Sequence, residues 1–323
     1  ADTYTSVRTE VTVGSDDYWV LEAQADHDNN DDDTFVKVED ASDGTASSYT
    51  PYDKDSNIWV KQGTIYIDID SDVTTFSSSS ADVVIPEQPD GSATTCYRAV
   101  YAGLYWSALL QSGDRSSIHE IKFKLPNSTN YNNVVGEIVY DAIVDPIPSF
   151  SGEPDNTPYV CYADVSNLLS GLTDLEGTFT VANVTSSLGS NFSTGLAAGW
   201  TLVIIYENPN LNTKSFTVFD GFSHIYDSHT EIIPISGFNT PPSGSIDIQM
   251  AYAALDGDRT KRATKLEIDG KGVTSAFRPA NKFFGSVIEN SDGVAHPRNP
   301  LSANTLGYDT GFLDIKSAEP EYI

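Results

Sequence analysis

The chain is nearly without sulfur, with two cysteines and one methionine in 323 residues. That excludes a small domain stapled by many disulfides, and the absence of any C-x-x-C pair removes thiolate zinc sites. Positive charge is scarce too: 18 Lys+Arg stand against 46 Asp+Glu, a formal net charge of −28. A phosphate backbone is bound by clustered cations and repelled by such a field, so nucleic acid is excluded as a partner. Long hydrophobic runs are missing. The longest, TLVIIYE at 201–207, is strand-length, well short of the roughly 18 apolar residues of a membrane helix, so membrane insertion is not expected. G-x-S-x-G, H-E-x-x-H, Walker and G-x-G-x-x-G signatures are also absent, and the enzyme classes built on them lose support.

What is present is apolar and aromatic: 39% hydrophobic residues, 17 Tyr and 14 Phe, too much for an acidic disordered tail. The charge is uneven. Residues 1–80 carry 18 acids and 4 bases, so residues 1–62 are read as a separate Asp-rich β segment. Its short runs YWVLEA and TFVKVED alternate like strands. Residues 63–323 are read as a second unit, with a subdivision near 155–160 left open. There TIYIDIDSDV sets Ile65, Ile67 and Ile69 on one face and Tyr66, Asp68, Asp70 and Asp72 on the other, as a half-buried strand would. Further strand candidates include RAVYAGLYWSAL, YVCYADV, GTFTVANV, GWTLVIIYE, SFTVFDGF and SIDIQMAYAAL, separated by Pro, Gly, Asn and Ser clusters. The single short helix candidate is DVSNLLSGL, with Asp164 or Ser166 as its cap. The pattern predicts an all-β fold, a jelly-roll-like β-sandwich or two packed sandwiches.

Several strings together, AVYAGLYWSALL, PYVCYADVSNLL and AAGWTLVIIYENPNLNTKSFTVFDGF above all, give the chain a likeness to a known family. It resembles the amino-terminal globular region of giant cell-surface adhesins of the Bacteroidetes, gliding-motility-associated and exported by the type IX system. The resemblance covers about residues 60–315. It implies an extracellular, non-catalytic head at the cell surface, partnered by a stalk of immunoglobulin-like repeats or by neighbouring subunits. In relatives further strands follow the segment matching GYDTGFLDI, which predicts an open strand edge there or on the strands it pairs with. A start at Ala1 with a single Met250 is what a mature exported chain would show.

Candidate site residues follow from composition and spacing. Asp26, Asp28, Asn30 and Asp32 stand at alternate positions, the oxygen spacing that calcium loops use, although no Glu stands twelfth as in an EF-hand. Asp53, Asp55 and Asn57 form a second cluster, and Asp68, Asp70 and Asp72 a third whose same-face carboxylates repel unless a cation or solvent intervenes. Calcium is therefore the expected cofactor. Cys96 and Cys161 are expected to form one disulfide in an exported protein. His224, Asp227 and His229 have an uncommon ligand spacing and read as loop residues. Arg259, Lys261, Arg262 and Lys265 form a lone basic cluster, either a solvated loop or a dock for an acidic partner or polysaccharide. Trp19 and Trp59 are candidate sugar platforms, whereas Trp106 and Trp200 read as core. A carbohydrate-active sandwich, lectin or glycoside hydrolase, is the alternative to the adhesin, since two suitably placed carboxylates suffice for glycosidic cleavage.

Overall fold

A computed structural model describes residues 5–13, 16–24, 34–40, 66–85, 97–111, 113–146, 157–188, 197–211, 214–225, 230–237, 246–255, 257, 264–268, 270–275, 277–289, 296–301, 305 and 307–317. The chain opens with a three-stranded antiparallel sheet, Thr5–Val13 (β1), Asp16–Gln24 (β2) and Thr34–Asp40 (β3), in the order β1-β2-β3. Next come Ser78–Val83 (β4), Arg98–Leu109 (β5), Glu120–Lys124 (β6), Asn132–Val135 (β7), Glu137–Asp141 (β8) and Pro158–Asp164 (β9). A single helical turn, Ser166–Leu169 (α1), precedes Gly177–Ala182 (β10) and Ala198–Glu207 (β11). The remaining strands are Ile246–Leu255 (β12), Glu267–Ile268 (β13), Lys271–Gly272 (β14), Ile288–Glu289 (β15), Arg298–Asn299 (β16) and Tyr308–Ser317 (β17).

The fold is an all-β sandwich. From β4 to β11 the chain passes repeatedly between two antiparallel sheets, one ordered β16-β4-β10-β6-β7 and the other β11-β5-β9-β8. Strand periodicity places the core between them. In β5, Ala102, Leu104, Trp106 and Ala108 are all 0% exposed, while Tyr101, Gly103, Tyr105 and Ser107 alternate with them on the other face. The same layer receives Tyr159 and Cys161 from β9, Ile121 and Phe123 from β6, and Phe179 and Val181 from β10. Phe123 and Phe179 stack across neighbouring strands at 5.8 Å. Trp106 is the largest of these side chains, and its indole N–H donates to Ile118 O at 2.8 Å, so no polar atom is stranded by its burial. Gly136 makes room for it, since a Cβ there would stand 2.4 Å from the Trp106 ring and 2.5 Å from Tyr162 O.

A third sheet, β12-β17-β15, leans on the outer face of the four-stranded sheet. One of its contacts is Tyr308, whose ring lies over Gly199 of β11 and whose hydroxyl is 2.9 Å from the Thr201 hydroxyl. The strand GYDTGFLDI is the middle strand, paired with β12 over ten positions and with β15 on its other side. Among the described residues, the edge strands of that sheet are β12 and β15.

Three local expectations are corrected. Tyr66–Asp72 of the predicted acidic strand runs without a ladder, because Asp70 and Asp72 accept hydrogen bonds from the backbone two residues on and so turn the chain. Neither Asp164 nor Ser166 caps α1. Val165 holds that position without a side-chain bond, and Asp164 Oδ1 instead accepts from Ser166 N at 2.9 Å. SFTVFDGF is described but joins no sheet. The expected unit boundary at 62–63 lies outside the described residues. Around 155–160, strands from both sides share a sheet, since β5 and β8 pair with β9. Among the described residues, no helix is long and apolar enough to cross a membrane.

Candidate functional site: the tyrosine face of the four-stranded sheet

Alternation in β5 sends Tyr101 and Tyr105 outward, and register places Tyr162 of β9 directly opposite Tyr105. Gly103 lies between the two β5 tyrosines, and a Cβ on it would stand 2.3 Å from Tyr101 Oη, so the absence of a side chain lets the Tyr101 ring lie across the strand. Tyr101 donates to Tyr162 Oη at 3.2 Å, and the Tyr101 and Tyr105 hydroxyls are 3.3 Å apart. The Tyr105 and Tyr162 rings sit 4.9 Å apart. Tyr105 completes the chain by donating to Asp220. Burial first, and then the Asp220 carboxylate, hold the Tyr105 hydroxyl far above its ordinary range, and burial with Tyr101 does the same for Tyr162. These phenols stay protonated at neutral pH and act as donors, not nucleophiles.

Asp220 belongs to a strap, residues 214–225, that crosses this face without regular structure. Two residues further on, Phe222 stacks on Tyr140 of β8, with centroids 3.8 Å apart and planes 4° from parallel, and His224 follows at 6.5 Å from Phe222. The face thus combines flat ring surfaces with a hydrogen-bonded row of hydroxyls ending in a carboxylate. Apolar ring faces beside directional donors and acceptors are what an amphipathic, hydroxyl-rich ligand such as a sugar ring requires.

A second polar cluster lies in the third sheet and is sealed. The side chains of Arg278, Glu289 and Asp309 are all 0% exposed. Arg278 Nε donates to Glu289 at 2.6 Å and Nη1 to Asp309 at 2.8 Å, while the remaining N–H groups reach the carbonyls of Phe283, Val287 and Thr310. Asp309 also accepts from the backbone N–H groups of Gly285, Ser286 and Val287, and Glu289 from the Ser275 hydroxyl. With its groups committed and no exposure, this knot fastens loops and offers nothing to a substrate.

The calcium candidates are distributed as follows. Asp26, Asp28, Asn30, Asp32, Asp53, Asp55 and Asn57 lie outside the described residues. Asp68, Asp70 and Asp72 are described and satisfied separately. Asp68 accepts from the Ser78 hydroxyl at 2.5 Å, Asp70 pairs with Lys124 at 3.3 Å, and Asp72 accepts from Thr74 N at 2.9 Å. Burial raises the Asp70 carboxyl, but Tyr131, the Asp72 amide and Lys124 outweigh it and leave it below the usual range; Thr74 holds Asp72 low. Among the described residues, no group of three or more His, Cys, Asp or Glu is gathered closely enough for a metal ion.

Trp59 is outside the described residues, and Trp19 is placed only by its strand, opposite Glu10 in β1. Asp227, His229, Arg259, Lys261 and Arg262 are likewise outside, and Lys265 is exposed. Trp106 is core as expected.

The disulfide expectation is corrected on one side. Cys161 is a free thiol, 0% exposed between the two sheets, with its sulfur donating to Ile118 O at 3.5 Å; Cys96 lies outside the described residues. Burial, then the nearby Asp141, pushes the Cys161 thiol up from 9.0 to about 12. At pH 8 the thiolate fraction is then roughly 1000-fold lower than in the unfolded chain, before steric exclusion is counted. Iodoacetamide should leave Cys161 unmodified in the native protein and label it fully in denaturant, as read by peptide mass spectrometry. Native labelling would contradict this placement.

Sequence reading passed over the tyrosine face and the arginine knot. For the first a signal exists, in Tyr101, Tyr105 and Tyr162, which share the outward parity of their strands. For the second, nothing local links Arg278, Glu289 and Asp309. The chain matches no family model, no curated protein and no solved structure.

Proposed function

We propose that the chain is a non-catalytic adhesive head at the extracellular cell surface, attached to a stalk or to neighbouring subunits, that grips polysaccharide through the tyrosine face. The observation that carries this reading is the row of tyrosine hydroxyls Tyr101–Tyr162–Tyr105 on the outer side of the sandwich. Rigid amphipathic rings on a paired sheet supply contact area at low entropic cost, and the hydroxyl row supplies orientation. Calcium is assigned to the Asp-rich clusters at 26–32 and 53–57, at the modest affinity of extracellular modules.

A glycoside hydrolase on the same scaffold is the less supported reading. Its general acid needs a carboxyl held above the ordinary range. Among the described residues, the carboxyls with a resolved shift, Asp70, Asp72 and Asp114, all move down.

The test is a glycan array read with calcium and with chelator. The expected result is retention of a restricted set of polysaccharides. Tyr162→Ala should weaken binding by about fivefold or more, and Tyr105→Phe, which keeps the ring and removes the hydroxyl, by less. Calcium should raise the melting temperature by mass action. A blank array under both conditions would overturn the adhesive reading, and hydrolysed products would transfer it to the glycosidase.

A further inference from the structure

The strap has sequence and surroundings that do not match its place. Residues 214–222, KSFTVFDGF, are β-branched and aromatic with strand-like alternation, yet no described strand pairs with them, and Phe216, Val218 and Phe219 are 56%, 38% and 51% exposed. Close by in sequence stands an edge that needs a partner. Among the described residues, β11 is the outermost strand of the order β11-β5-β9-β8, and its ten residues pair only with β5. A long uncovered edge is an association hazard that folded proteins normally cover.

The chain between the two already turns back. Leu211 N donates to Asn208 O at 3.0 Å, and Asn210 N to Asn208 Oδ1 at 2.9 Å, a side-chain-supported reversal at the end of β11. Continued past this turn, residues 214–222 run antiparallel along β11. Closing the loop at 208–213 sets Lys214 opposite Glu207, an oppositely charged pair, and brings Phe216 opposite Ile205 and Val218 opposite Val203. Phe219 then lies opposite Leu202, which packs against the sandwich core. A slip of one residue would turn Phe219 away from that core and break the charge pair.

We infer that the strap has a second seat, as a fifth strand docked on β11, and that moving between the seats opens and closes the tyrosine face. The two positions exclude each other geometrically. Docked on β11, Asp220 stands opposite Thr201, which itself pairs with Tyr105. Two strand spacings, about 9.5 Å, then separate Asp220 from Tyr105, beyond hydrogen-bond reach. Phe222 is carried about four spacings, roughly 19 Å, from Tyr140 on β8. On the face, the strap fills the rings and hydroxyls that a ligand would use; on the edge, it covers the half-buried apolar side chains of β11 and leaves the face clear. A ligand that binds only the cleared face draws the strap to the edge by its differential affinity. The identity of that ligand rests on the adhesive reading, whereas the movement does not.

The test therefore uses no ligand. In the full chain carrying Cys96→Ser, with buried Cys161 retained, Val203→Cys/Val218→Cys places two thiols directly opposite in the docked register, within the Cα separation a disulfide spans. Val203→Cys/Thr217→Cys is the out-of-register control. Under a glutathione redox buffer at low protein concentration, the first pair should form an intramolecular disulfide at least about tenfold faster than the control, as read by non-reducing peptide mapping. Equal rates, or no cross-link in either, would overturn the inference. Cross-linking only between molecules would overturn it also, assigning the edge to a second copy of the chain.

Discussion

Arg278→Met is expected to lower folding stability by about 3–5 kcal/mol, the usual consequence of breaking a buried ion pair from one side. The guanidinium answers two carboxylates and three carbonyls at once, and without it Glu289 and Asp309 remain as uncompensated charges in a site with no solvent access. Arg278→Lys should recover little, because an ammonium offers a point charge and three donors in place of a planar fork. The urea midpoint measures the effect, and a variant within about 1 kcal/mol of wild type would contradict the buried knot.

Trp106→Ala is expected to cost a further amount of the same size, about 3–5 kcal/mol, through a different cause. The indole fills the space between the sheets and is 0% exposed, so truncation leaves a cavity that the rigid β5, β9 and β6 ladders cannot collapse into. It also removes the donor to Ile118 O. Trp106→Phe keeps most of the volume and loses the hydrogen bond, and should fall between. The urea midpoint shift reads this directly. A small effect of Trp106→Ala would mean that the two sheets do not pack around this ring.

The strands that built the sandwich core were the legible part. RAVYAGLYWSAL, YVCYADV and GTFTVANV read as strands from their apolar and aromatic runs, and Trp106 reads as core from its place in one of them. TIYIDIDSDV carries a period-2 pattern and forms no ladder across its described residues 66–72, because local side-chain-to-backbone bonds from Asp70 and Asp72 compete with pairing. Alternation reports a compatible surface, not a partner. The same limit governs SFTVFDGF, whose pattern is that of a strand while its neighbours in space decide whether it becomes one. The arginine knot was beyond reach for a different reason: Arg278 and Asp309 are 31 residues apart and meet only through the register of β17. Cys161 was misjudged because compartment arguments weigh cysteine number and say nothing of which face of a strand carries the sulfur.

Gly199 has a mechanical meaning. The Tyr308 ring occupies the place where a Cβ on Gly199 would be, with ring atoms 2.4 Å from it, so β17 is seated on β11 by a bolt with no slack. Tension applied along β17 is delivered through that ring and the Thr201 hydroxyl into β11, and from there into a ten-residue antiparallel ladder with β5 at the centre of the sandwich. A ladder pulled along its strands resists with its hydrogen bonds loaded together, whereas one pulled sideways opens them in succession. A side chain at position 199 would back the bolt out, leaving the hydrogen bonds of Ile288 to Arg298 and His296, beside β16, to carry the load into the other sheet.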